Sequence, residues 1–212
     1  ASDQMIEDAE LKKMINGVAL GPLPLIVDVE RWSIYSENEE ERERSRKKFL
    51  KVLEKIRTAR PEIKLGYYDV VPVMRYWPVI DVTRKAEKQK WEKLNKRAVE
   101  DFVPHVDAIF PSLYTLYGDQ NGWKNYAEET LRVTRSFGKP VYCFLWPKYN
   151  GGDRELSGRY LSAEYWNLEL ETCYKYADGV VIWNHEPTKE WDSNAEWWQQ
   201  TLKFMKAHSL TK

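Results

Sequence analysis

An aspartate and a glutamate one residue apart, Asp28 and Glu30, close a short apolar run of Leu25, Ile26 and Val27. In an extended strand, residues i and i+2 point to the same side, so the two carboxyls would project together while Val29 faces the opposite layer. Two neighbouring carboxyls resist ionising together, so one pKa rises and the other stays low. A carboxyl still protonated near neutral pH can give its proton to a glycosidic oxygen. The bland counter-reading pairs them with Arg31 or with a helix N-terminus. Other candidates stand at the ends of later apolar runs. Tyr68 and Asp69 follow Gly66-Tyr67, Tyr114 closes Pro111-Ser112-Leu113-Tyr114, and Trp146 and Trp183 end two more. Phenols beside a carboxyl pair can hydrogen-bond a substrate carbonyl or hold a charged intermediate, although tyrosines at strand ends are as often packing.

Five apolar runs rich in Val, Ile and aromatics predict strands over residues 25–30, 64–71, 107–114, 141–146 and 179–183. Helix-period stretches follow each, over 38–60, 83–103, 123–137, 162–176 and 191–207, and one more precedes the first strand over 6–15. Strands alternating with helices of this length predict an α/β fold with a parallel sheet covered on both faces. No Gly-x-Gly-x-x-Gly or Walker-type loop follows a strand, which removes support for nucleotide-binding folds. The candidate residues gather where strands end, which is where a (β/α) barrel keeps its chemistry. A single domain over residues 1–212 is expected.

Lys plus Arg and Asp plus Glu both total 33, so the net charge is zero and no footprint for nucleic acid is present. No apolar run nears the roughly 20 residues of a membrane-spanning helix. Cys143 and Cys173 predict two buried thiols more than a disulfide. They and three scattered histidines (His105, His185, His208) offer no metal-ligand spacing, so neither metal nor cofactor is expected. Ten Trp and thirteen Tyr are the unusual feature. Much of that must be core, but flat apolar faces with a polar edge also suit sugar rings.

The order of the motifs is that of a known family. Leu25-Ile26-Val27-Asp28-Val29-Glu30-Arg31-Trp32 resembles the catalytic strand of the hyaluronidases. Gly66-Tyr67-Tyr68, Ala108-Ile109-Phe110-Pro111-Ser112-Leu113-Tyr114, Lys139-Pro140-Val141-Tyr142 and Gly179-Val180-Val181-Ile182-Trp183 are similar to four later strands of that family, so the resemblance spans residues 25–183. It implies a TIM-like (β/α) barrel and an endo-acting glycoside hydrolase on a poly- or oligosaccharide. Glu30 would be the proton donor. Asp28 would orient a substrate acetamido group whose oxygen acts as internal nucleophile. Tyr68 and Tyr114 would hold that group, and Trp183 would wall the pocket. Asp69 departs from the family pattern, the family's disulfide cysteines lack counterparts, and zero net charge does not suggest a groove for hyaluronan.

Barrels of this type place two βα units before the Asp-x-Glu strand, and about 24 residues precede Leu25 here. The expectation is therefore a barrel without its first two units in this chain, completed by a second chain or cleaved segment. Other readings remain open. A second carboxylate (Asp28, Asp69 or Glu186) could serve as nucleophile or base on a non-acetylated polysaccharide. Tyr68 or Tyr114 could be the base of a lyase. A non-catalytic sugar-binding barrel would keep the fold alone. An interaction scaffold would place Trp123, Trp146, Trp191, Trp197 and Trp198 on one exposed face. A polymer-degrading enzyme is expected to be secreted or periplasmic.

Overall fold

The computed structural model describes residues 6–18, 21–72, 75–184 and 190–210. Its strands are β1 (Leu25–Val27), β2 (Leu65–Tyr67), β3 (Tyr142–Leu145) and β4 (Gly179–Ile182). Its helices are α1 (Asp8–Asn16), α2 (Glu39–Ala59), α3 (Tyr76–Ile80), α4 (Lys85–Phe102), α5 (Gln120–Arg135), α6 (Ala163–Tyr176) and α7 (Glu196–Ala207). β1 and β2 pair in parallel, Val27 opposite Tyr67, and β3 and β4 do likewise, Leu145 opposite Ile182. Residues 108–112 join the two pairs through parallel bridges from Phe110 to Tyr68, Ile109 to Val141 and Ser112 to Phe144. Five extended segments thus lie side by side in chain order. The third, predicted as a strand over 107–114, is reduced to bridges, since Pro111 has no N–H to give the ladder. Among the described residues no hydrogen bond joins β4 to β1, and the segments form a parallel arc.

Alternation along the segments sorts side chains onto two faces. Leu65, Tyr67 and Ile109 point outward onto Phe49, Leu53, Ile56 and Phe102 of α2 and α4. Leu113, Val141, Cys143 and Leu145 point outward onto Trp123 and Leu131 of α5 and Trp166 and Leu170 of α6. The other face carries Ile26, Tyr68, Ala108, Phe110, Tyr114, Phe144, Trp146 and Val181. Tyr67 ties the layers directly. Its ring meets Phe49 edge to face at 4.8 Å, and its hydroxyl donates to the Phe49 carbonyl at 2.7 Å. Gly66 leaves no room beside it: a Cβ there would run into the Ala108 carbonyl and sit 2.7 Å from the Phe110 ring.

The helix ends follow local chemistry. Asn38 and Ser162 cap α2 and α6 by accepting from the N–H groups of Glu41 and Tyr165. Asp119 caps α5 in the same way, starting it three residues before the predicted Trp123. α7 begins at Glu196 and not at the predicted Trp191, and α3 was not foreseen, because Pro78 reads as a breaker although it sits in a first turn where its missing N–H costs nothing. Both cysteines are buried free thiols. The exposed aromatic face that the interaction-scaffold reading would require is not formed, since Trp123 and Trp197 are buried. No helix among the described residues is long and apolar enough to cross a membrane.

One acid lies sealed in the helical layer. Glu169 of α6 is fully buried; the Thr115 hydroxyl donates to its Oε1, and its Oε2 has no partner among the described residues. Burial pushes its carboxyl well above the ordinary value of 4.5. The folded state therefore binds a proton that the unfolded chain releases, and stability falls as pH rises past that ordinary value. Glu169→Gln removes this slope. In urea unfolding, the variant's stability relative to wild type should rise by more than about 1 kcal/mol between about pH 5 and pH 8. A pH-independent difference would contradict the buried acid.

Candidate active site

The site lies on the inward face of the arc, at the C-terminal ends of its segments. β1 stops at Val27, where its carbonyl accepts from the Tyr68 N–H at 3.1 Å. Asp28 follows just past the strand and Val29 packs toward the helical layer as predicted, but Glu30 enters a turn. Strand alternation thus carries Asp28 inward and does not govern Glu30, and both are solvent-exposed where partial burial was predicted. The ladder has no pairing partner beyond Tyr68 to extend β1 further. Arg31 is not the pair's counter-ion. Its guanidinium lies 5.6 Å from the Trp32 ring centroid.

Asp69 sits across from the pair, after β2. Its backbone is left-handed, φ 50°, a region few non-glycine residues adopt and Asp tolerates better than most. Its N–H donates to the Phe110 carbonyl at 3.0 Å, and the Ser112 N–H donates to its carboxylate. Oδ1 is buried without a hydrogen-bond partner among the described residues. Burial pushes the Asp69 carboxyl up to about 7, against the pull of the Ser112 N–H, and the negative charges of Glu30 and Asp28 add to the rise. Asp28 retains solvent access, yet the protein behind it raises its carboxyl above the ordinary value, with the Glu30 charge contributing second. Asp69, which the pair reading left out, thus belongs to the same electrostatic group as Asp28 and Glu30.

The two tyrosines stand beside these acids. Tyr68 and Tyr114 lie 6.1 Å apart by ring centroids, and the Tyr114 hydroxyl donates to the Tyr68 oxygen. Tyr68 in turn donates to Ser112 Oγ at 3.2 Å. Burial raises both phenols, and the Glu30 charge bears on each. They are hydrogen-bond donors at neutral pH, a poor state for a lyase base. Trp146 stands 5.9 Å from Tyr114, its Nε1 buried and without a partner among the described residues. Trp183 occupies the same face beyond β4, at the far end of the arc from Glu30, and is 47% exposed. Five of the anticipated residues (Asp28, Glu30, Tyr68, Asp69, Tyr114) therefore form one group, Trp146 adjoins it, and Trp183 stands apart. Glu186 and His185 lie outside the described residues.

Two contributors were not anticipated. Ser112 supplies both a hydroxyl and an N–H, and alternation from Phe110 through Ser112 to Tyr114 could have flagged it. Tyr35, half-buried with a buried hydroxyl that has no partner among the described residues, feels the charges of Asp69 and Arg75, and no periodic signal marks it. Among the described residues no group of His, Cys, Asp and Glu is arranged to hold a metal ion.

The fold resembles that of a crystal structure of bee venom hyaluronidase, with a TM-score of 0.53. Sequence identity is 14%, and the match covers 86% of this chain and 68% of that one. At that identity the likeness establishes the fold and nothing finer. No family model and no curated protein matches the sequence.

The Asp69 carboxyl should hold its proton at about pH 5 and lose it by about pH 8. Infrared difference spectra should show a protonated-carboxyl band disappearing as pH rises through about 7, missing from Asp69→Asn. A band in the variant that titrates unchanged would assign it elsewhere.

Proposed function

We propose that the protein is a glycoside hydrolase built as one catalytic (β/α)-barrel domain of hyaluronidase type. The observation that carries this reading is the convergence of Asp28, Glu30 and Asp69 with the hydrogen-bonded Tyr68 and Tyr114 at the C-terminal ends of parallel segments. The fold likeness to bee venom hyaluronidase supports it. The half-exposed outer segments β1 and β4 are where further strands, from another segment or chain, would complete the barrel.

In this mechanism Glu30 gives its proton to the departing glycosidic oxygen and later takes one from the attacking water. Asp28 orients a substrate acetamido group, whose carbonyl oxygen attacks the anomeric carbon. No enzyme nucleophile is then required. The phenols donate hydrogen bonds to that group and to the charge that develops on the ring it forms. Trp146 and Trp183 offer flat faces to sugar rings along the arc. Export to a secreted or periplasmic location suits an enzyme acting on a polymer.

A second reading draws on the raised Asp69. A carboxyl ionising near 7 beside Glu30 could be the second carboxylate of a two-acid glycosidase, with no acetamido group required. Two variants separate these possibilities. Glu30→Gln removes the proton and keeps the shape, so kcat should fall by about 10²–10⁴-fold with sugar binding intact. Retained turnover would remove Glu30 from the chemistry. Asp28→Asn should cost at least tenfold more on N-acetylated oligosaccharides than on non-acetylated ones, read as kcat/KM. Equal losses on both would favour the Asp69 reading.

A further inference from the structure

Beyond β4 the rim opens into a groove of about 480 Å³, within the roughly 300–1,000 Å³ of small-molecule sites. It lies apart from the carboxyl cluster, and Leu161 and Trp197 of the helical core form part of its wall. Trp191 is its most exposed aromatic surface at 61%, and Tyr160 faces it at 43%. The Trp191 indole is braced edge to face by Trp197 at 5.9 Å and Trp198 at 5.1 Å, so it is a fixed platform and not a loose side chain. Asn184 follows Trp183 directly and lines the same groove, and its buried Oδ1 accepts no hydrogen bond from a described residue. A flat apolar face beside an unfilled acceptor matches a sugar ring, which presents C–H groups on one side and hydroxyls at its edge.

The charge of the groove selects among sugars. Glu190, Asp192 and Glu196 line it, and no Lys or Arg does among the described residues. None of the three carboxylates has a Lys or Arg partner among the described residues. The ammonium of Lys148 lies over the Tyr160 ring at 4.6 Å, at the edge of the groove. A uronate or sulfate entering here would meet three like charges on low-dielectric aromatic walls, and such juxtaposition is costly.

We infer that this groove is a sugar subsite for non-acidic units, and that the substrate is a glycan without uronate or sulfate groups in the part that lies beyond β4. The inference rests on the glycosidase reading and narrows its substrate class. It separates this chain from the substrate in its structural neighbour's name, since the groove opposes an acidic polymer.

The test uses the full chain carrying Glu30→Gln, so that sugars persist. Binding of an N-acetylglucosamine hexamer and of a hyaluronan hexasaccharide is measured by calorimetry. The neutral hexamer should bind at least tenfold more tightly. Trp191→Ala should weaken it tenfold or more, while Trp191→Tyr, which keeps a flat face, should retain most of the affinity. Replacing the rim acids together (Glu190→Gln, Asp192→Asn, Glu196→Gln) should narrow the gap by raising hyaluronan affinity. Equal or tighter hyaluronan binding, no neutral binding at millimolar sugar, or indifference to Trp191→Ala overturns the subsite. Wild-type digests of the same sugars, read by mass spectrometry, report on the parent reading separately. Cleavage without Trp191-dependent binding sinks the subsite alone, and Trp191-dependent binding without cleavage of any oligosaccharide sinks the glycosidase alone.

Discussion

The contact between Gly66 and residues 108–110 sets the geometry of the rim. Because the Ala108 carbonyl and the Phe110 ring occupy the space a side chain would need, β2 and its neighbour lie in one register at one distance. Two residues on, that register brings the Tyr68 hydroxyl to Ser112 Oγ and the Asp69 N–H to the Phe110 carbonyl. A methyl group at position 66 would add an overpacking cost of about 1–3 kcal/mol. It would also displace the hydroxyl chain from Tyr114 through Tyr68 to Ser112, so the packing of the sheet and the donor geometry of the site rest on the same absent side chain.

Alternation made the inward residues legible. Tyr68, Tyr114 and Trp146 are each two residues from an inward neighbour, and period two needs only a strand to be right. The chain order of the segments was legible too, since parallel connections through helices leave few other neighbours. What alternation could not supply was where a strand stops. The β1 ladder ends at Val27 because its partner turns away at Asp69, a fact of the second segment and not of the first. The pairing of Asp28 with Glu30 by strand geometry failed there, and their coupling to Asp69 was hidden for the same reason. Asp69 was visible as a departure from a family pattern, yet its raised pKa comes from burial and from charges brought by β1.

Three of the buried polar atoms that lack a hydrogen-bond partner among the described residues lie along the rim. Asp69 Oδ1, Trp146 Nε1 and Asn184 Oδ1 occur at the ends of the second, fourth and fifth segments. Each such atom costs about 1–3 kcal/mol when left dry. They lie along one edge of the parallel arc. The same edge is apolar in between, with Tyr114 against Trp146, so a ring that covers the aromatics also reaches the acceptors.

Asp69 and Glu169 show why a displaced pKa does not by itself mark a catalytic group. Burial is the leading cause in both and raises both. Glu169 has only the Thr115 hydroxyl opposing that rise and lies at the centre of the helical layer, so its proton has nowhere to go and its effect is confined to stability. Asp69 faces two further carboxyls whose charges act on it, at the end of β2. There a proton can be redistributed among neighbours when a bound group changes their charge. What distinguishes Asp69 is its neighbouring carboxyls, and the fold supplies them by ending β1 and β2 side by side.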